Sequence, residues 1–503
     1  MQIDAPRSSE SCERKIIYLL CLLAALHVLI FSAAFPFFSI VDEEHHFDLV
    51  TKYAQGQAPR TAASFGAEAA HDITLYNSPE YLAGPAYYQA VGHLTPQWTW
   101  PASDEKVQQA VAEAQAVYQK EFNYESSQPP LYYGLAAVWW NLGKTLGLTG
   151  LHLLYWLRFL NVFFVVLLVW AGYAVAREIF PDNAVLKLGV PAMLAFLPQR
   201  AFYSVDNDIL SPLCCGILLL FLLKWSRAEI PNALSGLAVG LSMAAVFLAK
   251  TSNLPLLALA SFAVLWKIWQ LGKLGKLSAA WKSLAILLCT AALPIAAWMT
   301  WCRIHFGDLT GAGPKMHSFG WTVKPFSNWW HHPIFTPSGL WVFMFRSLTN
   351  FWSGECLWHQ KPLYFAPFNW VCVLGSLIFM LAAVPAIFTR SAKIIPSQKW
   401  MLGVLLVCIF AEFGFFAFLS IIYDFHDCPN PSRAEPYFTA GRLMLGTLIP
   451  FLLVCVFQFD RFLGWHSLRT KLMTLGLFIL FMLACEITTD WPVFFSQYNL
   501  YHY

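Results

Sequence analysis

Long apolar segments follow one another along this chain, separated by short turns rich in Lys and Arg, and that alternation leaves few folds open. The first run is Lys15 to Phe38 and the second His152 to Ala176; the rest lie near residues 184–205, 209–225, 233–250, 252–269, 281–302, 369–388, 399–423, 442–459 and 471–492. Each approaches the roughly 20 residues a helix needs to cross hydrocarbon. With 58% hydrophobic and 12% charged residues among 503, the chain reads as an all-α polytopic membrane protein. About eleven transmembrane helices are expected, in a single multispanning unit over residues 1–503. The first run is longer than the apolar core of a signal peptide and no small-x-small cleavage site follows it, so it is expected to stay as an anchor. A formal net charge of +3 points to no nucleic-acid partner.

The basic residues set the orientation. Arg7, Arg14 and Lys15 precede the first span, and Lys224–Arg227, Lys267–Lys276, Arg390–Lys399 and Arg461–Lys471 cluster at alternate turns. By the positive-inside rule these turns face the cytoplasm. Two large loops then face outward, residues 39–151 and 303–367. The first holds twelve acids against five bases, as an exterior loop can. Interfacial helices are expected in it over Ser103–Lys120 and Pro79–His93, from apolar residues at helical spacing and from Tyr81, Tyr87 and Tyr88. Leu131–Leu146 is apolar but short and contains Asn141 and Lys144; the basic turns alternate correctly only if it does not cross. Cys356 and Cys428 both fall in outer loops, which leaves a disulfide between them open.

Polar chemistry is concentrated on this outer side. The run Asp42-Glu43-Glu44-His45-His46 follows the first span directly, and Asp42 and His46 lie one turn apart if the chain there is helical. A carboxylate just outside the bilayer can serve as a general base or hold a metal; the plainer alternative is a solvated, acid-rich span terminus. Glu125-Ser126-Ser127-Gln128-Pro129-Pro130 is a rigid corner that starts a helix, with Glu125 and Gln128 fixed at the membrane face. Asp206-Asn207-Asp208 forms an outer turn, either as caps or as an acidic pocket or oxygen-ligand site for a divalent cation. Lys250 and Arg442 lie at outer span ends, where a cation either snorkels or binds phosphate. A phosphate beside an apolar groove is what a polyprenyl-phosphate lipid presents. In the second loop, His305, Asp308, His317, His331, His332, Glu355 and His359 stand among tryptophans that form an interfacial belt or stack on sugars. The His331-His332 pair has no further ligand at fixed spacing to make it a metal site.

In their order these residues resemble the GT-C superfamily of multispanning glycosyltransferases: Asp42-Glu43 with His46, Gln128-Pro129-Pro130-Leu131-Tyr132-Tyr133, Arg158 and Asn161, Asp206-Asn207-Asp208, Lys250-Thr251, and Gly441-Arg442. Phe351-Trp352-Ser353-Gly354 resembles the outer loop of one bacterial branch. The resemblance implies inverting sugar transfer from a polyprenyl-phosphate-linked donor to a glycan, lipid or protein acceptor. The setting it implies is the periplasmic face of a bacterial inner membrane and the chemistry of the cell envelope. It implies Asp42, with Glu43, as the catalytic acids, and His46, Glu125, Asp206 and Asp208 as an acceptor or metal pocket. Arg442 and Lys250 would hold the donor phosphate, and Mg or Mn would be needed in some branches. The chain departs from many relatives in following that Arg with Leu443 instead of Tyr. A lipid or solute transporter and a catalytically silent assembly subunit are the alternatives; a transporter would carry ionisable groups near the midplane and internal repeats, and no repeat is visible.

Overall fold

The computed structural model describes residues 6–61, 63–81, 83–84, 96–101, 105–388, 395–428 and 430–500. Among them the only strands are two antiparallel pairs of two residues each, Thr322–Val323 with Tyr423–Asp424 and Leu357–Trp358 with Lys361–Pro362. Everything else that is regular is helical. In chain order the helices are α1 (Pro6–Ala34), α2 (Glu43–Ala54), α3 (Ala67–Tyr76), α4 (Glu105–Tyr118), α5 (Leu131–Thr145) and α6 (Gly150–Arg158). They continue as α7 (Leu160–Ile179), α8 (Ala184–Ala195), α9 (Leu210–Arg227), α10 (Ala233–Ala249), α11 (Leu254–Lys273) and α12 (Leu277–His305). The last six are α13 (Ala312–Ser318), α14 (Pro337–Ser353), α15 (Ala366–Phe388), α16 (Pro396–Ile422), α17 (Leu448–Phe462) and α18 (Leu468–Phe494).

Nine of the described helical segments are long and apolar enough to cross a membrane, and α8 and α10 are shorter apolar helices. Together they coincide with the eleven runs expected from the sequence, and the protein is an integral, multi-pass membrane protein. Phe262, Leu265, Leu477 and Leu480 are exposed on helix faces, where lipid rather than water satisfies them. Of the runs that depart from uninterrupted helix, two bear on the site. The segment expected over 184–205 is helical only to Ala195, because the Gln199 side chain caps Ala201 and Asp206 caps Asp208, turning the chain into two short 3-10 turns. The run expected from 442 begins as a 3-10 turn, Gly441–Thr447, before α17. Both interruptions occur at the same end of the bundle, and both carry candidate site residues.

Over that end lies a layer built from the first loop. Helix α4 falls where Ser103–Lys120 was expected to be helical. Of the expected Pro79–His93 helix, one turn, Pro79–Tyr81, is described, and residues 85–95 lie outside the described residues. Helix α5 folds back on α6: Trp139 and Trp156 stack with centroids 4.0 Å apart, and each indole N–H donates to the other's carbonyl, at 2.6 and 2.8 Å. The pair begins three residues after Gln128 and ends at Arg158. Cys356 and Cys428 are free thiols. Some ionisable groups are buried within the spans. His27 meets Glu486 at 2.9 Å, Arg200 meets Asp490 at 2.7 Å, and both Glu412 oxygens lack a hydrogen-bond partner among the described residues.

Candidate active site

The acidic run after α1 is split by its backbone. Phe38 and Asp42 both have positive φ, 57° and 65°, an uncommon conformation for residues with side chains, and the resulting corner sends Asp42 and Glu43 to different places. Glu43 is fully buried and receives four donors: Arg158 Nε at 2.7 Å, Arg158 Nη2 at 2.6 Å, Phe38 N at 2.9 Å and Val205 N at 3.0 Å. The same guanidinium also donates to the carbonyls of Ser32, Phe35 and Pro36. With every lone pair direction occupied, Glu43 is a structural tie between the layer and the bundle.

Asp42 faces the other way, into a cluster centred on Arg442. Arg442 Nη1 donates to Asp206 Oδ2 and Asp208 Oδ2, each at 3.0 Å, and Nη2 donates to Asp42 Oδ2. Its Nε lies 3.4 Å from Glu355 Oε2. Lys250 Nζ donates to Asp208 Oδ1 and, at 2.8 Å, to Asn207 Oδ1. Tyr124 Oη donates to the remaining Asp42 oxygen at 2.5 Å. His46 places Nε2 3.4 Å from Asp206 Oδ1 while Nδ1 meets Tyr133 Oη at 2.7 Å. Glu125 accepts from Lys315 on α13 and from Gln128 at 2.5 Å, and Gln128 accepts in turn from Asn207 at 3.2 Å. The structure thus brings Asp42, His46, Glu125, Asp206, Asp208, Lys250 and Arg442 into one connected network, and leaves Glu43 out of it. Glu355, Lys315 and Tyr124 join the network although the sequence reading gave none of them a role in the site. In the sequence Glu355 is one of several polar residues of the second loop, and Lys315 and Tyr124 stand in no motif.

Electrostatics follows from this packing. Burial acts to raise the Asp42 carboxyl, but Arg442, Lys315, His46 and the Tyr124 hydrogen bond together hold it well below the usual carboxylate range. Glu125 is likewise raised by burial and more than offset by Lys315 and His46, ending at about 2. Burial pushes His46 down to about 4, so its imidazole is neutral at neutral pH. Glu355 is raised, because burial outweighs its contact with Arg442. Five carboxyls (Asp42, Glu125, Asp206, Asp208, Glu355) face three cations (Lys250, Lys315, Arg442), an excess of two negative charges when all are ionised. Among the described residues no group of three or more His, Cys, Asp or Glu is arranged to hold a metal ion. The oxygens close on Arg442 and Lys250 instead. His331 is outside this network, and His332 is tied to the Pro436 carbonyl at 2.9 Å.

Residues 25–417 match the model of the family described as Predicted membrane protein (DUF2142). The chain belongs to this family. No curated protein is similar to it in sequence. Among solved structures, this DUF2142 member is similar to the oligosaccharyltransferase AglB from Archaeoglobus fulgidus, in complex with an inhibitory peptide and a dolichol-phosphate. The identity is 13% and the TM-score 0.40, over 98% of this chain and 56% of AglB; the chain therefore spans little more than half of AglB's length. It is also similar to ArnT from Cupriavidus metallidurans bound to undecaprenyl phosphate, at 12% identity and a TM-score of 0.31, over 89% of this chain and 79% of ArnT.

Proposed function

We propose that this DUF2142 member is a membrane glycosyltransferase that moves a sugar from a polyprenyl-phosphate-linked donor to an acceptor hydroxyl, with inversion, at the membrane face that carries the acidic site. The observation that carries the reading is the Asp42–Arg442 contact, in which residues 400 positions apart meet in a buried polar site at the end of an otherwise apolar bundle. Transfer to a hydroxyl needs a carboxylate near the attacking oxygen and a cation near the departing phosphate, and this pair supplies both. Asp42 is ionised and accepts from Tyr124 and Arg442, so it is placed to hold and orient an acceptor O–H. When Arg442 turns to a donor phosphate, Asp42 loses its nearest cation and its basicity rises, coupling proton acceptance to stabilisation of the leaving group. Lys250 adds a second positive charge, Asp206 and Asp208 aim both cations, and neutral His46 leaves the acids uncompensated. Mg or Mn would enter only if these carboxylates left the cations that now hold them, since Arg442 and Lys250 occupy Asp42, Asp206 and Asp208. By the distribution of Lys and Arg the site faces away from the cytoplasm, and the GT-C resemblance implies the periplasmic side of a bacterial inner membrane.

The test uses membranes containing wild type or Asp42→Asn, radiolabelled polyprenyl-phosphate sugars, and parallel reactions with a chelator. Label should pass to an acceptor with wild type and fall by at least about 100-fold with Asp42→Asn, the scale of a lost general base. Equal transfer by the two proteins, or no donor consumed from a broad panel, would overturn the assignment in favour of a transporter or a silent subunit. Loss of transfer on chelation would establish the cation.

A further inference from the structure

At the membrane face opposite the acidic site, α1, α7 and α9 surround a cleft of 640 Å³. The separation follows from the helices themselves: α9 starts at Leu210, two residues after Asp208 at the acidic site, and reaches Lys224 at the cleft, about 21 Å away at 1.5 Å per residue. Four cations line the cleft, Arg14, Arg177, Lys224 and Arg227, against one acid, Glu178, for a net charge of +3. Glu178 is already engaged by Arg227. Arg14 and Lys224 have no ion-pair partner among the described residues. Arg14 on α1 and Lys224 on α9 thus bring positive charge with no ion pair among the described residues to a volume large enough for a phosphate headgroup.

We propose that this cleft binds the headgroup of an anionic phospholipid from the membrane leaflet on that side. Positive residues at cytoplasmic helix ends are common and by themselves only orient a protein; here they converge on one cavity between helices, the arrangement that selects anionic headgroups. A lipid, rather than a soluble phosphate, is favoured by what lies at the rim. Tyr18 on α1 is 68% exposed and Trp170 on α7 is 49% exposed, and both line the cleft. From Trp170 an exposed apolar stripe continues along α7 through Leu167 to Phe163, and from Tyr18 another continues through Leu22 on α1. The two helices pack side by side, so acyl chains can lie along them while the phosphate enters among Arg14, Lys224 and their neighbours. The aromatic rings sit where headgroup and chain meet, the level such rings favour.

The full-length protein in phosphatidylcholine nanodiscs, with and without phosphatidylglycerol, tests this by native mass spectrometry of retained lipid. Wild type should retain phosphatidylglycerol selectively. Arg14→Ala with Lys224→Ala should weaken that retention roughly thirtyfold, near fivefold per cation, while Arg14→Lys with Lys224→Arg should keep it. Neither pair touches the acidic site, and thermal melts of both confirm the fold. Equal retention of the two lipids by wild type, or retention by the double alanine variant equal to wild type, would overturn the site. Displacement of phosphatidylglycerol by millimolar inorganic phosphate would overturn the lipid assignment and make the cleft a soluble-anion site.

Discussion

His46 shows how burial decides a protonation state that sequence leaves open. A solvated imidazole titrates near pH 6.5, whereas this one, enclosed by Tyr133 and Asp206 and facing Lys250 and Arg442, is held to about 4. Between those values the unfolded chain binds a proton that the folded chain refuses, so stability is present above about pH 6.5 and is lost as pH falls toward 4. Thermal melts of wild type should show that loss, and His46→Gln should flatten it. Glu125, held at about 2, acts in a lower window: its contribution is present above the ordinary carboxylate range near pH 4.5 and is lost as pH falls through about 2. An identical profile in wild type and His46→Gln between pH 6.5 and 4 would show that the imidazole is not excluded from protonation.

Among the elements, the 3-10 turn Gly441–Thr447 places Arg442, and Gly441 is what lets it lie against α14. A Cβ at 441 would stand 2.2 Å from the Ser347 carbonyl oxygen and 2.3 Å from Phe351 N, both backbone atoms that cannot step aside. Gly441→Ala should therefore push the turn off α14, cost about 1–3 kcal/mol, and move the guanidinium away from Asp42, Asp206 and Asp208. Loss of sugar transfer together with a lowered melting temperature is the expected result. Gly375→Ala on α15, where nothing lies within 4 Å of the added carbon, should leave both measurements at or above wild type. If Gly441→Ala behaves the same way, the close approach does not position Arg442. The loss of helix after Ala195 belongs to this scale too: capping by Gln199 and Asp206 diverts an apolar run into turns, and those turns carry Asp206 and Asp208 to the site.

At the scale of the whole molecule, the layer built from the first loop is fastened to the bundle through Glu43 and Arg158. Glu43→Gln leaves the Arg158 guanidinium buried without its counter-charge, which should cost about 3–5 kcal/mol, while Glu43→Gln with Arg158→Met should recover part of it. Limited proteolysis is expected to cut the first loop earlier in the single variant. Transfer by that variant should fall only in step with the folded fraction, unlike Asp42→Asn, where the fold persists and transfer is lost. A folded Glu43→Gln protein without transfer would restore Glu43 to the chemistry.

The spans were legible in the chain itself, because partition into hydrocarbon is close to a sum over contiguous side chains and needs no knowledge of what lies alongside. The all-α class and the eleven apolar segments follow from that sum, and the gathering of the acids at one end follows from the alternation of basic turns. Which acids meet was not legible. Asp42 and Glu43 are neighbours with the same charge, and a backbone corner of positive φ sends one to Arg442 and the other to Arg158. Lys315 and Tyr124 belong to no motif, and they enter the site because α13 and the first loop pack over it. Contacts between residues hundreds of positions apart are set by how helices and loops close on one another, so only the tertiary structure could choose among chemically equivalent side chains.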